Sequence, residues 1–201
     1  MNINTTYTKI ITGEDLMETD QHGSTLYPFQ FYYEDLSVFD FNCIEWHWHT
    51  ELEFIYIESG TVTLWIGEDQ FHLTEGNGIF INTKVLHRLY SPSKALIPNF
   101  VFMPSFIAPC DSLIYQKYIL PIISSSLPFL VFHKKVCWQA KVLSIMRQII
   151  SAQDSVLSKE LLTSSLLQNL WLEIFENTDI SYQEEHKDHS TASQARLQLM
   201  L

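Results

Sequence analysis

Thr61-Val62-Thr63-Leu64-Trp65-Ile66-Gly67-Glu68-Asp69-Gln70-Phe71-His72-Leu73-Thr74-Glu75-Gly76-Asn77-Gly78-Ile79-Phe80-Ile81 is the stretch on which the fold turns. Val62, Leu64 and Ile66 alternate with Thr61 and Thr63, the period-two pattern of a strand with one buried face. Gly67-Glu68-Asp69 turns the chain, Gln70-Phe71-His72-Leu73 returns it, and the turn at 74–78 leads into Ile79-Phe80-Ile81. The same rhythm runs from Leu26 to about Met103, with dense β-branched and aromatic residues and a turn signal every 8–12 residues or so. Short strands punctuated in this way predict an all-β sandwich or barrel.

On either side the pattern changes. Residues 1–24 are polar and aperiodic and read as an arm or a frayed end. After Pro109 the period lengthens. Asp111 to Tyr118 predicts a short helix stopped before Pro121. Trp138, Val142, Ile145, Met146 and Ile149 fall at helical spacing, which predicts a helix over 135–152. Leu162, Leu166, Leu170 and Ile174 form a second stripe, flanked by Leu167, Trp171 and Phe175, and predict a helix over 158–177. Ser158 is its expected N-cap and Glu160 lies in its first turn. The chain then turns polar up to Ser193, and residues 195–201 open another apolar helical pattern. The class expected is mainly β with C-terminal α, the α part ending in an antiparallel helix pair.

Composition narrows the function. The 201 residues hold 12 basic and 23 acidic side chains, a formal net charge of −11, with 46% hydrophobic and 13% aromatic residues. Such a chain buries a real core and is not globally disordered. It carries no dense Lys/Arg footprint for nucleic acid. Cys43, Cys110 and Cys137 form no CxxC and are odd in number, which suits buried thiols in a reducing cytosol rather than a disulfide framework. No signal-peptide pattern and no run of about 18 apolar residues occurs, so a cytoplasmic protein away from membranes is expected.

The chemistry concentrates in Ile44-Glu45-Trp46-His47-Trp48-His49-Thr50-Glu51-Leu52-Glu53. On a strand, His47 and His49 share one face and Trp46 and Trp48 take the other. Glu53 can return on the next strand, and His87 follows a later turn after Gly76 and Asn82. Two imidazoles, a carboxylate and a third imidazole converging in a barrel mouth would suit a divalent ion such as Zn, Ni, Fe, Mn or Cu. Parity puts Ile55 and Ile57 on the Glu53 face, inside the barrel with the ligand-binding residues. His22, His72, His133, His186 and His189 are expected at the surface or in loops.

These residues carry a resemblance. His47-x-His49-xxx-Glu53-xxxxxx-Gly60 resembles the first signature of the cupin superfamily, whose members are small double-sheet jelly-roll barrels. Gly76-xxxxx-Asn82-x-Lys84-xx-His87 is similar to the second signature, with Asn82 and Lys84 where cupins usually show Pro and Gly. A wider pattern covers about residues 25–201: Trp46 to Ile57, Gly60, Leu73-xx-Gly76, Ile79-Phe80-Ile81-Asn82, Val85-Leu86-His87 and Lys117 to Ile122. It resembles the N-terminal sensor domain of AraC/XylS-type bacterial transcription regulators. The resemblance implies an arm (1–24), a cupin-like barrel (25–109), a helical dimerisation region (110–178), and a linker with the start of a truncated DNA-binding domain (179–201). It further implies a small-molecule effector in the barrel, a homodimer, and DNA contact only through the missing C-terminal half. Leu162, Leu166, Leu170 and Ile174 are the expected dimer-interface residues.

Two other readings stand beside this non-enzymatic one. A cupin metalloenzyme, a dioxygenase or isomerase, would use His47, His49, Glu53 and His87 as ligands and bind substrate at open positions. A bare dimeric scaffold would fill the barrel with its own side chains.

Overall fold

The computed structural model describes Ile3 and residues 8–178. Among the described residues the order is β1 (Phe29–Asp35), β2 (Cys43–His47), β3 (Leu52–Tyr56), β4 (Thr61–Ile66), β5 (Asp69–Thr74), β6 (Gly78–Ile81), β7 (His87–Tyr90) and β8 (Leu96–Phe102). Helix α1 (Leu120–Ile123), strand β9 (Phe129–Phe132), and helices α2 (Cys137–Ala152) and α3 (Lys159–Asn177) follow. All ladders between these strands are antiparallel. One sheet has the order β1-β8-β3-β6-β9 and the other β2-β7-β4-β5. The two sheets form a cupin-like jelly-roll barrel, and α2 and α3 pack as the expected hairpin.

Alternation along the strands builds two cores. Val62, Leu64 and Ile66 of β4 meet Ile55, Ile79, Ile81 and Ile97 of the opposite sheet inside the barrel. The other faces of β3, β6, β8 and β9 present Leu52, Phe54, Phe80, Phe100, Phe102 and Phe132 to α2 and α3. Val142, Leu143, Met146 and Ile149 of α2 and Leu167, Leu170, Trp171 and Ile174 of α3 complete this second core. The five-stranded sheet is thus covered on both sides, so every residue of β3 is buried. Gly78 lets α2 come close: a Cβ there would lie 2.9 Å from the Ile55 carbonyl oxygen and 3.0 Å from Leu143.

Several expectations are corrected. The barrel does not end at residue 109, because β9 pairs with β6 from within the region expected to be helical. Its Phe-Leu-Val-Phe sequence shows no alternation because Phe129 meets Phe71, at 4.6 Å between rings, while Phe132 enters the helix-side core. Pro121 does not stop the preceding helix. A π-turn at Tyr115–Ile119 runs straight into α1, where Pro121 sits in the first turn and needs no N–H partner. Ser158 stands at the N-cap of α3, but its side chain makes no capping bond to the helix. Residues 8–24 are not frayed: residue Met17 bridges Trp48 in parallel, and Thr12 bridges Glu18. Cys43 is buried as expected, whereas Cys110 and Cys137 are exposed. The polar linker and the opening helix, residues 179–201, lie outside the described residues, as do His186 and His189.

The turn before His87 shows how the chain does without the cupin Pro and Gly. Asn82 donates from Nδ2 to the carbonyls of Leu127 (2.8 Å) and Ile122 (3.2 Å), and its Oδ1 accepts from Thr83 N–H at 2.8 Å. Lys84 takes the left-handed conformation itself, with φ 61°, and donates its N–H to the His49 carbonyl at 2.8 Å. A left-handed non-glycine residue costs about 1–2 kcal/mol, offset in part by the larger unfolded-state entropy of glycine. Lys84→Gly is therefore expected to stabilise the protein by about 0.5–1 kcal/mol, read by denaturant unfolding. An unchanged or lower midpoint would show that the Lys84 conformation carries no strain.

Candidate metal and ligand site

β2, the β2–β3 turn, β3 and β7 bring four donors together. The ladder between β2 and β7 shifts register between Ile44 and His47, so one extra residue of β2 is accommodated there. This bulge lets Ile44 and His47, three residues apart, both face the barrel interior. Glu45 and Trp46 fall on the outside, where Arg88 pairs with Glu45 at 3.0 Å and lies over the Trp65 ring. His49 follows in the turn, Glu53 projects inward from β3, and His87 opens β7.

His47, His49, Glu53 and His87 are all buried, and one donor atom of each lies within 4.8 Å of the others. Glu53 Oε2 is 3.0 Å from His87 Nε2 and 3.3 Å from His49 Nε2. The His47 and His87 rings approach to 4.1 Å. Each imidazole is oriented by a backbone carbonyl. His47 Nδ1 is 2.8 Å from Glu45 O, His87 Nδ1 is 2.8 Å from Val85 O, and His49 Nδ1 is 3.2 Å from Glu51 O. A carbonyl only accepts, so each Nδ1 donates and each Nε2 is turned inward, in His49 and His87 toward Glu53.

That arrangement fits a metal ion. Outer hydrogen bonds from Nδ1–H to backbone carbonyls are the usual support of metal-ligating histidines. His87 Nε2 is fully buried, with the Glu53 carboxylate 3.0 Å away. The 3.0 and 3.3 Å spacings to Glu53 match the roughly 3.0–3.4 Å ligand-to-ligand edges that bonds of about 2.1 Å produce. A cation seated among these atoms would take the place of the contacts that His49 and His87 make with Glu53. Imidazole and carboxylate donors suit Zn, Ni, Fe or Mn.

Electrostatics agree. Burial pushes the Glu53 carboxyl up, but the His49 and His87 imidazoles outweigh it and hold the group well below the usual carboxylate range. Burial, then His87 and His49, hold the His47 imidazole well below its usual 6.5. In the unfolded chain His47 takes up a proton below pH 6.5 and in the folded metal-free chain it does not, so stability falls as pH falls through that range. Glu53 acts with the same sign at lower pH, because its contribution is lost as pH falls through its depressed value. The Tm of the chelator-treated protein is expected to drop steadily from pH about 7 to about 4.5, and His47→Gln is expected to flatten the upper part of that slope. A profile identical in the variant would refute the assignment to His47.

The site has an outer wall that the sequence did not reveal. His22, expected at the surface, is buried: its Nδ1 lies 2.9 Å from Tyr32 Oη, its Nε2 lies 3.2 Å from Glu18, and its ring stands edge-on to His49 at 5.5 Å. Burial lowers the His22 pKa, but Glu18 outweighs it and the net shift is upward. Glu34 and Asn99, joined by a 2.8 Å hydrogen bond, line the same cavity. Strand parity along β1 would have placed Tyr32 and Glu34 on one face, but nothing local marked that face as the interior. Ile55 lines the cavity, whereas Ile57 is buried in the barrel core and does not line it. His72 and His133 are exposed, as expected.

The expected interface stripe divides. Leu170 and Ile174 are fully buried in the chain's own core and so cannot meet a partner, while Leu162 is 40% exposed and Leu166 partly buried. The stripe divides because i+4 spacing drifts round a helix of 3.6 residues per turn.

A cupin-like barrel with a buried three-histidine, one-carboxylate group, backed by an antiparallel helix pair, defines the class of protein. The family model described as the AraC-like ligand binding domain matches residues 30–175, and the chain belongs to that family. It is similar to an uncharacterized HTH-type transcriptional regulator, YdeC of Bacillus subtilis (strain 168), with 24% identity over 143 residues, 69% of this chain and 48% of the relative. The chain thus spans about half the length of that curated relative. Among solved structures, apo ToxT K231A from Vibrio cholerae strain SCE256 shares 10% identity and a TM-score of 0.51, over 78% of this chain and 58% of that one. ToxT from Vibrio cholerae O395 gives 10% identity and 0.50, over 76% and 56%. These likenesses extend to the fold. Among the described residues no helix is long and apolar enough to cross a membrane.

Proposed function

We propose that this chain is the effector-sensing and dimerisation domain of an AraC-type transcription regulator, working in the cytoplasm, and that a small effector bound in the barrel controls DNA binding by a C-terminal half. The observation that carries the reading is the family match over 30–175 together with a buried, inward-facing donor set in the barrel. His47, His49, Glu53 and His87 would hold a divalent ion, which when bound supplies a Lewis-acidic centre for oxygen or nitrogen donors. The chain's own contribution is orientation: backbone carbonyls fix the three rings. An effector acts by binding one arrangement of the chain better than another.

A cupin metalloenzyme is the second reading, favoured by the complete donor set. One experiment separates the two. The protein is screened by thermal shift against metal ions, sugars and organic acids, and each bound compound is recovered and weighed by mass spectrometry. A sensor returns its ligand unchanged, whereas conversion of the compound would overturn the sensing role.

Self-association is proposed through the outer side of α2 and α3. Leu161 is 77% and Leu162 40% exposed, beside an open groove of about 440 Å³ that Ser151, Ala152 and Leu166 help to line. A two-fold pairing would bury these residues against their equivalents. Leu162→Glu is expected to turn a dimer into a folded monomer in sedimentation analysis. A variant that stays dimeric would exclude this face.

A further inference from the structure

We propose that the groove between α3 and residues 107–118 is a second binding site, outside the barrel, for an apolar ring compound that bears one negative charge. The inference goes beyond the sensing role proposed above and does not rest on it.

The groove has a volume of about 350 Å³ and is walled by Ile107, Ile114, Tyr118, Trp171, Leu172 and Phe175. Organic ligands occupy sites of about 300–1,000 Å³ whose walls are mostly apolar and aromatic, with a few polar groups to orient the ligand. The cavity beside the barrel donors, at about 30 Å³, has room for about two waters and not for a ring. The groove beside Leu162 is as roomy but has no aromatic side chain, and Ser144, Arg147, Gln148 and Ser151 form much of its wall. Ile114 is 56% and Leu172 51% exposed, apolar surface that a bound ring would take out of water.

The groove is held open by its own hydrogen bonds. Side chains of α3 fasten the opposite wall at two points: Gln168 Nε2–H donates to Ile107 O at 3.3 Å, and Trp171 Nε1–H donates to Tyr118 O at 2.8 Å. The Tyr118 and Phe175 rings meet edge-on at 5.1 Å and make a rigid corner. Walls fixed in advance spare a ligand the cost of ordering them. The opposite wall includes the π-turn Tyr115–Ile119, a rare geometry that occurs frequently at functional sites. Its Lys117 supplies the charge. Lys117 Nζ lies 5.1 Å from the centre of the Tyr118 ring and forms no ion pair among the described residues. Asn169 lines the groove, and its amide makes no hydrogen bond among the described residues. An ammonium without a carboxylate partner, set beside an aromatic wall, selects an anion over a cation, and the free amide offers it a further donor.

The test uses the 201-residue protein and two dyes built on the same apolar rings: anilinonaphthalene sulfonate, which carries a single negative charge, and phenylnaphthylamine, which is neutral. Binding is followed by dye fluorescence, and calorimetry counts the sites. Saturable binding of the sulfonate, a single dye to each folded chain, is expected. Leu172→Glu weakens both dyes by about tenfold or more, because it removes an apolar wall contact and sets a carboxylate in its place. Lys117→Gln weakens the sulfonate by about threefold, the scale of an exposed charge pair, and leaves the neutral dye unchanged. Far-UV circular dichroism checks the fold of each variant, and Ile114→Ser repeats the measurement from the opposite wall if Leu172→Glu does not fold. Leu162→Glu, in the other groove, and His47→Ala with His49→Ala, in the barrel, change neither dye. Loss of dye in either of those variants overturns the proposal, because the dye then sits elsewhere. Binding that survives the wall substitutions overturns it, and so does an equal response of the two dyes to Lys117→Gln. Failure of the parent protein to bind the sulfonate also overturns it, since the groove is then closed to such ligands.

Discussion

The His47→Ala, His49→Ala protein is expected to remain folded and to bind no divalent ion at concentrations that saturate the parent. Loss of one outer-shell partner of a metal ligand costs about 10–100-fold in affinity, and here two of four direct ligands go. The fold should persist because neither ring belongs to a hydrophobic core. The helix-side core lies across β3 from the site, and the barrel interior is held by Ile55, Val62, Leu64 and Ile97. Glu53 keeps His87 at 3.0 Å after the change. The chelator-treated parent and variant should therefore differ in stability by no more than about 1–2 kcal/mol, the scale of one lost buried polar interaction. Elemental analysis of both proteins and far-UV circular dichroism read the two halves of the result. Full metal occupancy in the double variant would show that these imidazoles are not ligands, and unfolding on chelation of the parent would show that the ion is structural.

Phe54→Ala should be the most damaging single substitution in the barrel wall. Phe54 is inaccessible to solvent. It stacks nearly parallel on Phe100 at 5.3 Å, with an interplanar angle of 12°, and on Phe102 at 6.0 Å. Phe80 at 5.0 Å and Phe132 at 6.4 Å close the remaining sides. Truncation removes the ring's burial and leaves a cavity among rigid neighbours that cannot collapse into it, at a cost of about 3–5 kcal/mol. For a domain of this size that is a fall in Tm of roughly 10 °C. The denaturant midpoint should move while the slope stays constant. A loss below about 1 kcal/mol would mean that the aromatic layer relaxes and is not close-packed as described.

The parts of the structure that were legible in the sequence share a physical cause. β4 and β5 show alternation because the four-stranded sheet has one face turned to solvent, and α2 and α3 lay out their apolar positions at helical spacing. The four donors were legible because His47-x-His49, Glu53 and His87 are chemically conspicuous. β9 was not, because a strand buried against neighbours on both faces shows only a short apolar run. His22 and Glu18 were not, because a polar segment reads as solvated until tertiary hydrogen bonds to Trp48 show where it lies. Pro121 misled because a π-turn upstream changes which backbone donors the helix needs. The Leu162–Ile174 stripe was correct as a helix and misassigned in part as a surface, since spacing alone does not say which side of a helix faces its own barrel.

β3 is a party wall. Glu53 and Ile55 face the donor site, while Leu52, Phe54 and Tyr56, their immediate neighbours in the chain, face the helix pair. A slip of one residue would exchange Glu53 for a phenylalanine on one side and thrust a carboxylate among aromatic rings on the other. The strand therefore cannot yield by sliding. It can only shift bodily, and any displacement of the carboxylate toward or away from its imidazoles is delivered, one peptide unit away, to the surface on which α2 and α3 rest.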